Sequence, residues 1–187
     1  MTTRRSLTFA CFLTIAAKFV PSAGAAPPAK GEKARPFTLE TLAGKAASLD
    51  SFTKSGPVVL LVLRGYPGYQ CPLCTAQVRD YVTQAKAFAE RGASVVMIYP
   101  GPAANLRKYA DEFISGHTLP ANFTLLVDPD YAFTESYGLR WKADGETAYP
   151  TTLVIDKSGT IRYALVSKSH GGRSKAANVL RELDAVK

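Results

Sequence analysis

The strongest pattern along the chain is an unbroken apolar run from Pro57 to Leu63, with no polar residue alternating through it. Such a run predicts a central strand of a sheet covered on both faces. It ends at Arg64-Gly65. From Thr75 to Arg91 the period changes: Val78, Tyr81, Val82, Ala85, Phe88 and Ala89 recur at helical spacing until Gly92 stops them. Ser94 to Tyr99 returns to strand character. Pro102 then opens a second helix, with Leu106, Tyr109, Ala110, Phe113 and Ile114 on one face before Ser115-Gly116. Phe123 to Val127 predicts another strand. Asp128-Pro129 supplies an N-cap acid and a first-turn proline for a short helix to Tyr137-Gly138. Thr151 to Ile155 and Ile161 to Val166 predict strands joined by the turn Asp156-Lys157-Ser158-Gly159. Ser174 is expected to cap a last helix with Val179, Leu180, Leu183 and Val186 facing inward. Strands alternating with helices and closing on a hairpin plus helix predict an α/β fold, a three-layer α/β/α sandwich with a mixed sheet.

The first residues do not fit that pattern. They have a basic start (Arg4, Arg5), an apolar stretch from Leu7 to Ala17, and Ala23-Gly24-Ala25 in an A-x-A arrangement. That order predicts a secretory signal peptide over 1–25, cleaved after Ala25. The apolar stretch is short for a membrane span and Lys18 interrupts it, so stable membrane insertion of the mature domain is not expected. The adjacent arginines leave the general and the twin-arginine export routes both open. Residues 26–34, small, charged and bearing Pro27-Pro28, read as a flexible linker. The folded domain is then 35–187, exported to the periplasm or the extracellular space. The chain's 187 residues suit one such domain.

Net charge is +8, but removing Arg4, Arg5 and Lys18 with the leader leaves +5 spread along the chain. No basic run is interleaved with aromatics and no recognition-helix or zinc-finger pattern occurs, so nucleic acid is excluded as a partner.

Of three cysteines, Cys11 leaves with the leader, and the other two form Cys71-Pro72-Leu73-Cys74 between the first strand and the first helix. At a helix start, free backbone N–H groups and the macrodipole favour a thiolate and make cysteine nucleophilic near neutral pH. One helical turn brings the second sulfur within disulfide distance. A purely structural bridge closing so small a loop would add little stability. A zinc site would need four ligands, with only His117 and His170 to complete it, and these lack paired spacing. Redox catalysis by Cys71 and Cys74 is therefore the reading, with no metal and no cofactor.

The strand, the Cys71-x-x-Cys74 pair, the helix, and Tyr149-Pro150-Thr151 before a hairpin resemble the thioredoxin fold, in which a cis-proline faces the cysteines. That implies a cis Tyr149–Pro150 bond, with Tyr149 and Pro150 positioning substrate. Three further stretches resemble the alkyl hydroperoxide reductase and thiol-specific antioxidant (AhpC/TSA, peroxiredoxin) family and its additions to the thioredoxin-like fold. They are Phe37-Thr38-Leu39 with Gly44 and Leu49, the insertion from Asp128-Pro129-Asp130 to Tyr137-Gly138, and Thr152 to Gly159. The family's P-x-x-x-T-x-x-C motif falls on Pro67 to Cys74, with Cys71 standing where threonine is expected. The resemblance thus makes Pro67 a positioning residue and Cys74 the match to the peroxidatic cysteine. The family's active-site arginine falls on Pro150, which has no hydrogen to donate; Arg64 and Arg173 are the candidates to replace it.

Two chemistries remain open. In peroxide reduction Cys74 would attack and pass through a sulfenic acid that Cys71 resolves; in thiol–disulfide exchange, including that of cytochrome c maturation, Cys71 would attack. The partners expected are a peroxide or a protein disulfide as substrate and an external thiol as reductant. A reading of another class is a copper-binding assembly factor, using both cysteines and a distal histidine.

Overall fold

The computed structural model describes residues 25–116 and 118–186. Apart from Ala25, the expected leader lies outside the described residues, as does His117.

The described residues form a seven-stranded mixed sheet in the order β2-β1-β5-β4-β3-β6-β7. Its strands are β1 (Thr38–Thr41), β2 (Ala46–Ser48), β3 (Val58–Val62), β4 (Ser94–Gly101), β5 (Phe123–Pro129), β6 (Thr151–Ile155) and β7 (Ile161–Val166). β3, β4 and β5 run parallel, whereas β6 lies antiparallel to β3 and pairs with β7. The helices are α1 (Leu49–Ser55), α2 (Pro72–Thr83), α3 (Ala85–Glu90), α4 (Leu106–Ile114), α5 (Ala132–Ser136) and α6 (Ala176–Asp184).

β3 shows why an apolar run without alternation belongs at the centre. Val59 and Leu61 join a core with Val78 and Tyr81 of α2, Phe113 of α4 and Val179 of α6. Val58, Leu60 and Val62 face the other way, into a core with Leu49 of α1 and Phe133 and Tyr137 at α5. Helices therefore cover both faces, and the α/β/α sandwich expected from the pattern is the fold observed.

Several details differ from the sequence reading. The hairpin β1–β2 and helix α1 precede the first expected strand; α1 is closed by a capping box in which Ser48 and Ser51 exchange backbone and hydroxyl bonds. The helix expected over 75–91 is two helices. Thr83 Oγ1 donates to the Asp80 carbonyl at 2.7 Å, and Gln84 N–H turns back to Tyr81 O at 3.0 Å, breaking the ladder between α2 and α3. Asp128 and Pro129 stay in β5, and the chain passes through Asp130 and Tyr131 at positive φ before α5 starts. Asp128 nevertheless caps α5 from the strand, accepting from Phe133 N at 2.7 Å and Thr134 N at 3.0 Å.

Ser174 does not cap α6. Its hydroxyl lies 2.5 Å from Tyr81 OH and 2.7 Å from Thr152 Oγ1, while the Ala176 N–H donates to Asp80 Oδ2 at 2.8 Å. The buried partners claimed the serine, leaving the helix start to a carboxylate from α2. Residues 26–34, expected to be a flexible linker, are docked on the β7 side. Gly31 N–H donates to Ile161 O at 2.8 Å, Ile161 N–H to Glu32 O at 2.9 Å, and Ala34 N–H to Gly159 O at 2.9 Å. A proline-bearing polar stretch has little apolar surface to signal this; its main-chain groups do the docking.

Candidate active site

The site is built at the C-terminal end of β3, where Leu63 N–H still donates to Ile98 O at 2.9 Å. Gly65 then turns the chain at φ +69, and a Cβ there would lie 1.8 Å from Pro100 O, so only glycine fits against β4. Beyond it the loop is pinned by aromatic and amide contacts. Tyr66 stacks on Tyr109 of α4 with centroids 3.7 Å apart. Gln70 donates to Tyr109 O and accepts from Tyr99 OH, both at 2.9 Å. These contacts deliver Cys71 to the N-cap position of α2, with Pro72 next to it. Pro has no N–H to lose and its fixed φ suits the first helical position.

Cys71 and Cys74 are both free thiols and both buried, at 4% and 1% exposure. Cys74 N–H and Thr75 N–H donate to the Cys71 carbonyl at 3.0 and 3.1 Å, closing the first turn with the two side chains on one side. The Arg64 N–H donates to Cys74 Sγ at 3.3 Å. Arg173, from the loop before α6, brings Nη2 to 3.8 Å from Cys71 Sγ.

The two thiols are driven apart electrostatically. Cys71 is lowered to about 5, chiefly because the Cys74 thiol donates to its sulfur; burial opposes this, while the N–H of Cys74, the Arg173 charge and the N–H of Leu73 assist. Cys74 is raised well above the ordinary thiol range, because its proton is held against Cys71 and its surroundings are dry. The pair thus shares a proton, with Cys71 shifted toward the anion and Cys74 away from it.

The two arginines separate on structure. Every nitrogen of the Arg64 guanidinium is engaged: Nε with Glu146 Oε2 at 2.9 Å, Nη1 with Tyr69 OH at 2.5 Å and Nη2 with Gly145 O at 2.8 Å. His170 Nε2 lies 2.9 Å from Glu146 Oε1 on the carboxylate's other side. Burial alone would raise the Glu146 carboxyl, but bonds from Arg64 and His170 hold it below its usual range. Arg173 instead has the Gln77 Oε1, the His170 carbonyl and the Cys71 sulfur around it.

The other residues expected at the site are close by. Val62 pairs with Thr151, which places Pro150 and Tyr149 beside the end of β3 from which the cysteine loop leaves. The Tyr149–Pro150 bond is trans, contrary to the cis bond that the thioredoxin resemblance implied. Tyr149 N–H donates to Leu139 O at 2.8 Å, and Pro150 O accepts from Ser167 N–H at 2.9 Å, so the segment enters β6 as extended chain. Tyr149 stacks on Trp141, 4.9 Å between centroids. Pro67 lies in the loop that Tyr66 and Gln70 anchor, and the polar contacts to the sulfurs come from Arg64 and Arg173. Sequence reasoning missed Gln77 and Glu146, whose polar atoms sit at otherwise ordinary helix and loop positions, and gave Ser174 a capping role in place of its buried contacts. Among the described residues no three of His, Cys, Asp or Glu gather as a metal-binding group, so His170 does not join the cysteines in one.

The AhpC/TSA family model matches residues 30–164. The chain belongs to the AhpC/TSA family. Among curated relatives, chloroplastic peroxiredoxin Q of Oryza sativa subsp. japonica is 34% identical over 134 residues, covering 72% of this chain and 57% of the relative. Chloroplastic peroxiredoxin Q of Sedum lineare is 31% identical over 133 residues, covering 71% of this chain and 66% of the relative. The chain therefore spans about three fifths of the length of these relatives. Among solved structures, peroxidoxin BcpB from Mycobacterium tuberculosis aligns with a TM-score of 0.67 at 25% identity, covering 84% of this chain and 97% of that one. A peroxiredoxin-like protein from Aquifex aeolicus aligns with a TM-score of 0.68 at 15% identity, which shows the AhpC/TSA chain's fold alone.

Proposed function

We propose that this AhpC/TSA protein reduces peroxides through Cys71 and Cys74 and is reset by an external thiol. The observation that carries the proposal is the pair itself: two free buried thiols one helical turn apart at the start of α2, with the Cys71 thiol shifted toward its anion. A thiolate attacks one peroxide oxygen, the S–O bond forms as the O–O bond breaks, and the departing alkoxide takes a proton to leave as an alcohol or water. The partner thiol then displaces water from the sulfenic acid and the Cys71–Cys74 disulfide forms. Two equivalents of an external thiol return the dithiol and leave as their own disulfide. The test is peroxide consumption by the purified protein with dithiothreitol as reductant. Sustained turnover supports the reading, and absence of peroxide loss above the thiol-only rate overturns it.

A second reading, thiol–disulfide exchange, is favoured by the low pKa of Cys71, the first cysteine of the pair. Insulin reduction outpacing peroxide reduction would move the assignment to it. The order of basic, apolar and small residues up to Ala25 supports export to the periplasm or the extracellular space. Among the described residues no helix is long and apolar enough to cross a membrane. Recovery from the native host outside the cytoplasm, with a new N-terminus near Ala26, is the expected outcome; an intact Met1 in the cytosol contradicts it.

A further inference from the structure

Breaking an O–O bond places negative charge on the leaving oxygen, and a fixed cationic donor at that point is worth far more in a dry site than in water. Position 150, where the family's arginine falls, holds a proline with nothing to donate. Resting on the peroxide-reduction reading, we infer that Arg173 takes over as the peroxide-binding guanidinium and that it does so at Cys71, making Cys71 the attacking sulfur and Cys74 the resolving one. This reverses the order that the motif match assigns.

Four observations carry the inference. First, Arg173 Nη2 is the guanidinium nitrogen beside a sulfur, 3.8 Å from Cys71 Sγ. That is a direct contact, so an oxygen bound to the sulfur would lie within reach of the guanidinium. Second, the rival arginine is occupied: the Arg64 side chain is 4% exposed and ion-paired to Glu146, and only its main-chain N–H reaches Cys74. Third, Arg173 is aimed by a buried brace. Its Nη1 donates to Gln77 Oε1 at 3.0 Å, Gln77 Nε2 contacts Ser174 Oγ at 3.4 Å, and Ser174 is itself tied to Tyr81 and Thr152. Arg173 Nε donates to the His170 carbonyl at 3.1 Å, fixing the fork from the other side. Gln77, Ser174, Thr152 and Tyr81 are all buried, so this is a built support and not a surface arrangement. Fourth, a cavity of about 120 Å³ between α2 and the loop before α6 is lined by Leu73, Gln77, Asp80, Gly171 and Arg173, so Arg173 borders open space, with neither cysteine in the lining.

Cys74 Sγ takes the Arg64 main-chain N–H in place of a guanidinium contact. It is 1% exposed and holds the proton shared with Cys71. In the sequence of bonds, Cys71 sulfur takes the distal peroxide oxygen, Arg173 steadies the outgoing oxygen until it is protonated from water, and Cys74 sulfur then replaces hydroxide on Cys71, its own proton completing the water released.

The test is rapid mixing of the reduced protein with hydrogen peroxide, following disulfide formation. R173Q should lower the second-order rate constant roughly 100-fold, with R173K recovering part of the loss because a cation without the fork remains. A rate for R173Q within about twofold of the parent overturns the role of Arg173. Attack order is read separately by dimedone trapping. Cys71 should be labelled in C74S while Cys74 in C71S is labelled at least about 10-fold more slowly, and faster labelling of Cys74 in C71S than of Cys71 in C74S overturns the order. If R173Q fails to fold, this second experiment still decides the order. Iodoacetamide alkylation separates the inference from the reading beneath it, since it needs no peroxide. A parent protein that ignores peroxide overturns peroxide reduction, while slower Cys71 alkylation in R173Q supports the hold of Arg173 on that sulfur.

Discussion

Helices α2 and α5 both begin just after a parallel strand, and both present free N–H groups at their first turn, yet the two starts are used in opposite ways. At α5 a wholly buried carboxylate, Asp128, reaches from β5 to take Phe133 N–H, Thr134 N–H and the Thr134 hydroxyl. The cap is saturated and has nothing left to react. At α2 the N-cap is Cys71, whose side chain makes no capping hydrogen bond of normal geometry, although the Leu73 and Cys74 N–H groups still favour its anion. The same backbone donors serve stability in one place and hold a nucleophile in the other. A fixed acid makes a good cap because it stays put; a thiolate held by weaker donors to sulfur remains a nucleophile.

The comparison breaks most visibly if either cysteine is removed. C71S or C74S should lower peroxide turnover with dithiothreitol at least about 100-fold, because one sulfur cannot both attack and resolve. Either change should cost under about 2 kcal/mol of stability, measured by urea unfolding, since no long loop is closed by this pair. The mirror-image result is expected at α5. D128A should cost on the order of 3 kcal/mol by leaving buried N–H groups unpaired, while the peroxide rate of the folded fraction stays near the parental value.

A subtler effect sharpens the contrast in charge. Because the Cys71 pKa is lowered to about 5, its thiolate predominates above that pH, and alkylation by iodoacetamide should fall as pH drops through about 5. An alkylation midpoint near the ordinary thiol value of about 8.5 contradicts the thiolate assignment. The smallest effect is expected at Asp156, an acid in the β6–β7 turn and remote from either helix start. Burial raises its carboxyl, but bonds from the Ser158 hydroxyl, the Thr160 N–H and Arg162 outweigh this and hold it at about 2. A lowered carboxyl stabilises the fold above its unfolded value of 3.8 and loses that contribution as pH falls from there through about 2. D156A should therefore cost about 1 kcal/mol at pH 7 and less near pH 2, by thermal unfolding.

Where the sequence was readable, one physical rule dominated locally. β3 could be read from Val58 to Val62 because a strand covered on both faces needs every position apolar. The cysteine pair could be placed between the first strand and the next helix, but the apolar spacing started that helix at Thr75, whereas α2 begins at Pro72, because its first turn carries no apolar period to signal it. What stayed hidden depended on contacts between distant segments. Nothing local marks Gln77 as the acceptor for Arg173, 96 residues away, or Ser174 as a core partner of Tyr81 instead of a cap. The α2–α3 break was hidden for a different reason: apolar spacing continues through it, while the backbone is diverted by the Thr83 hydroxyl. The trans Tyr149–Pro150 bond marks a limit of resemblance, since a shared position does not carry the backbone state with it.

The most direct test of the account follows the two sulfurs through a single turnover. The fully reduced protein is mixed with one equivalent of hydrogen peroxide in the absence of any other thiol, quenched with a thiol-blocking reagent, and digested. The peptide carrying Cys71 and Cys74 is then weighed. The account predicts a peptide lighter by two hydrogens and unblocked at both cysteines, forming in proportion to the peroxide lost. Two blocked thiols after the peroxide has been offered, or a disulfide that forms no faster than in air without peroxide, would contradict it.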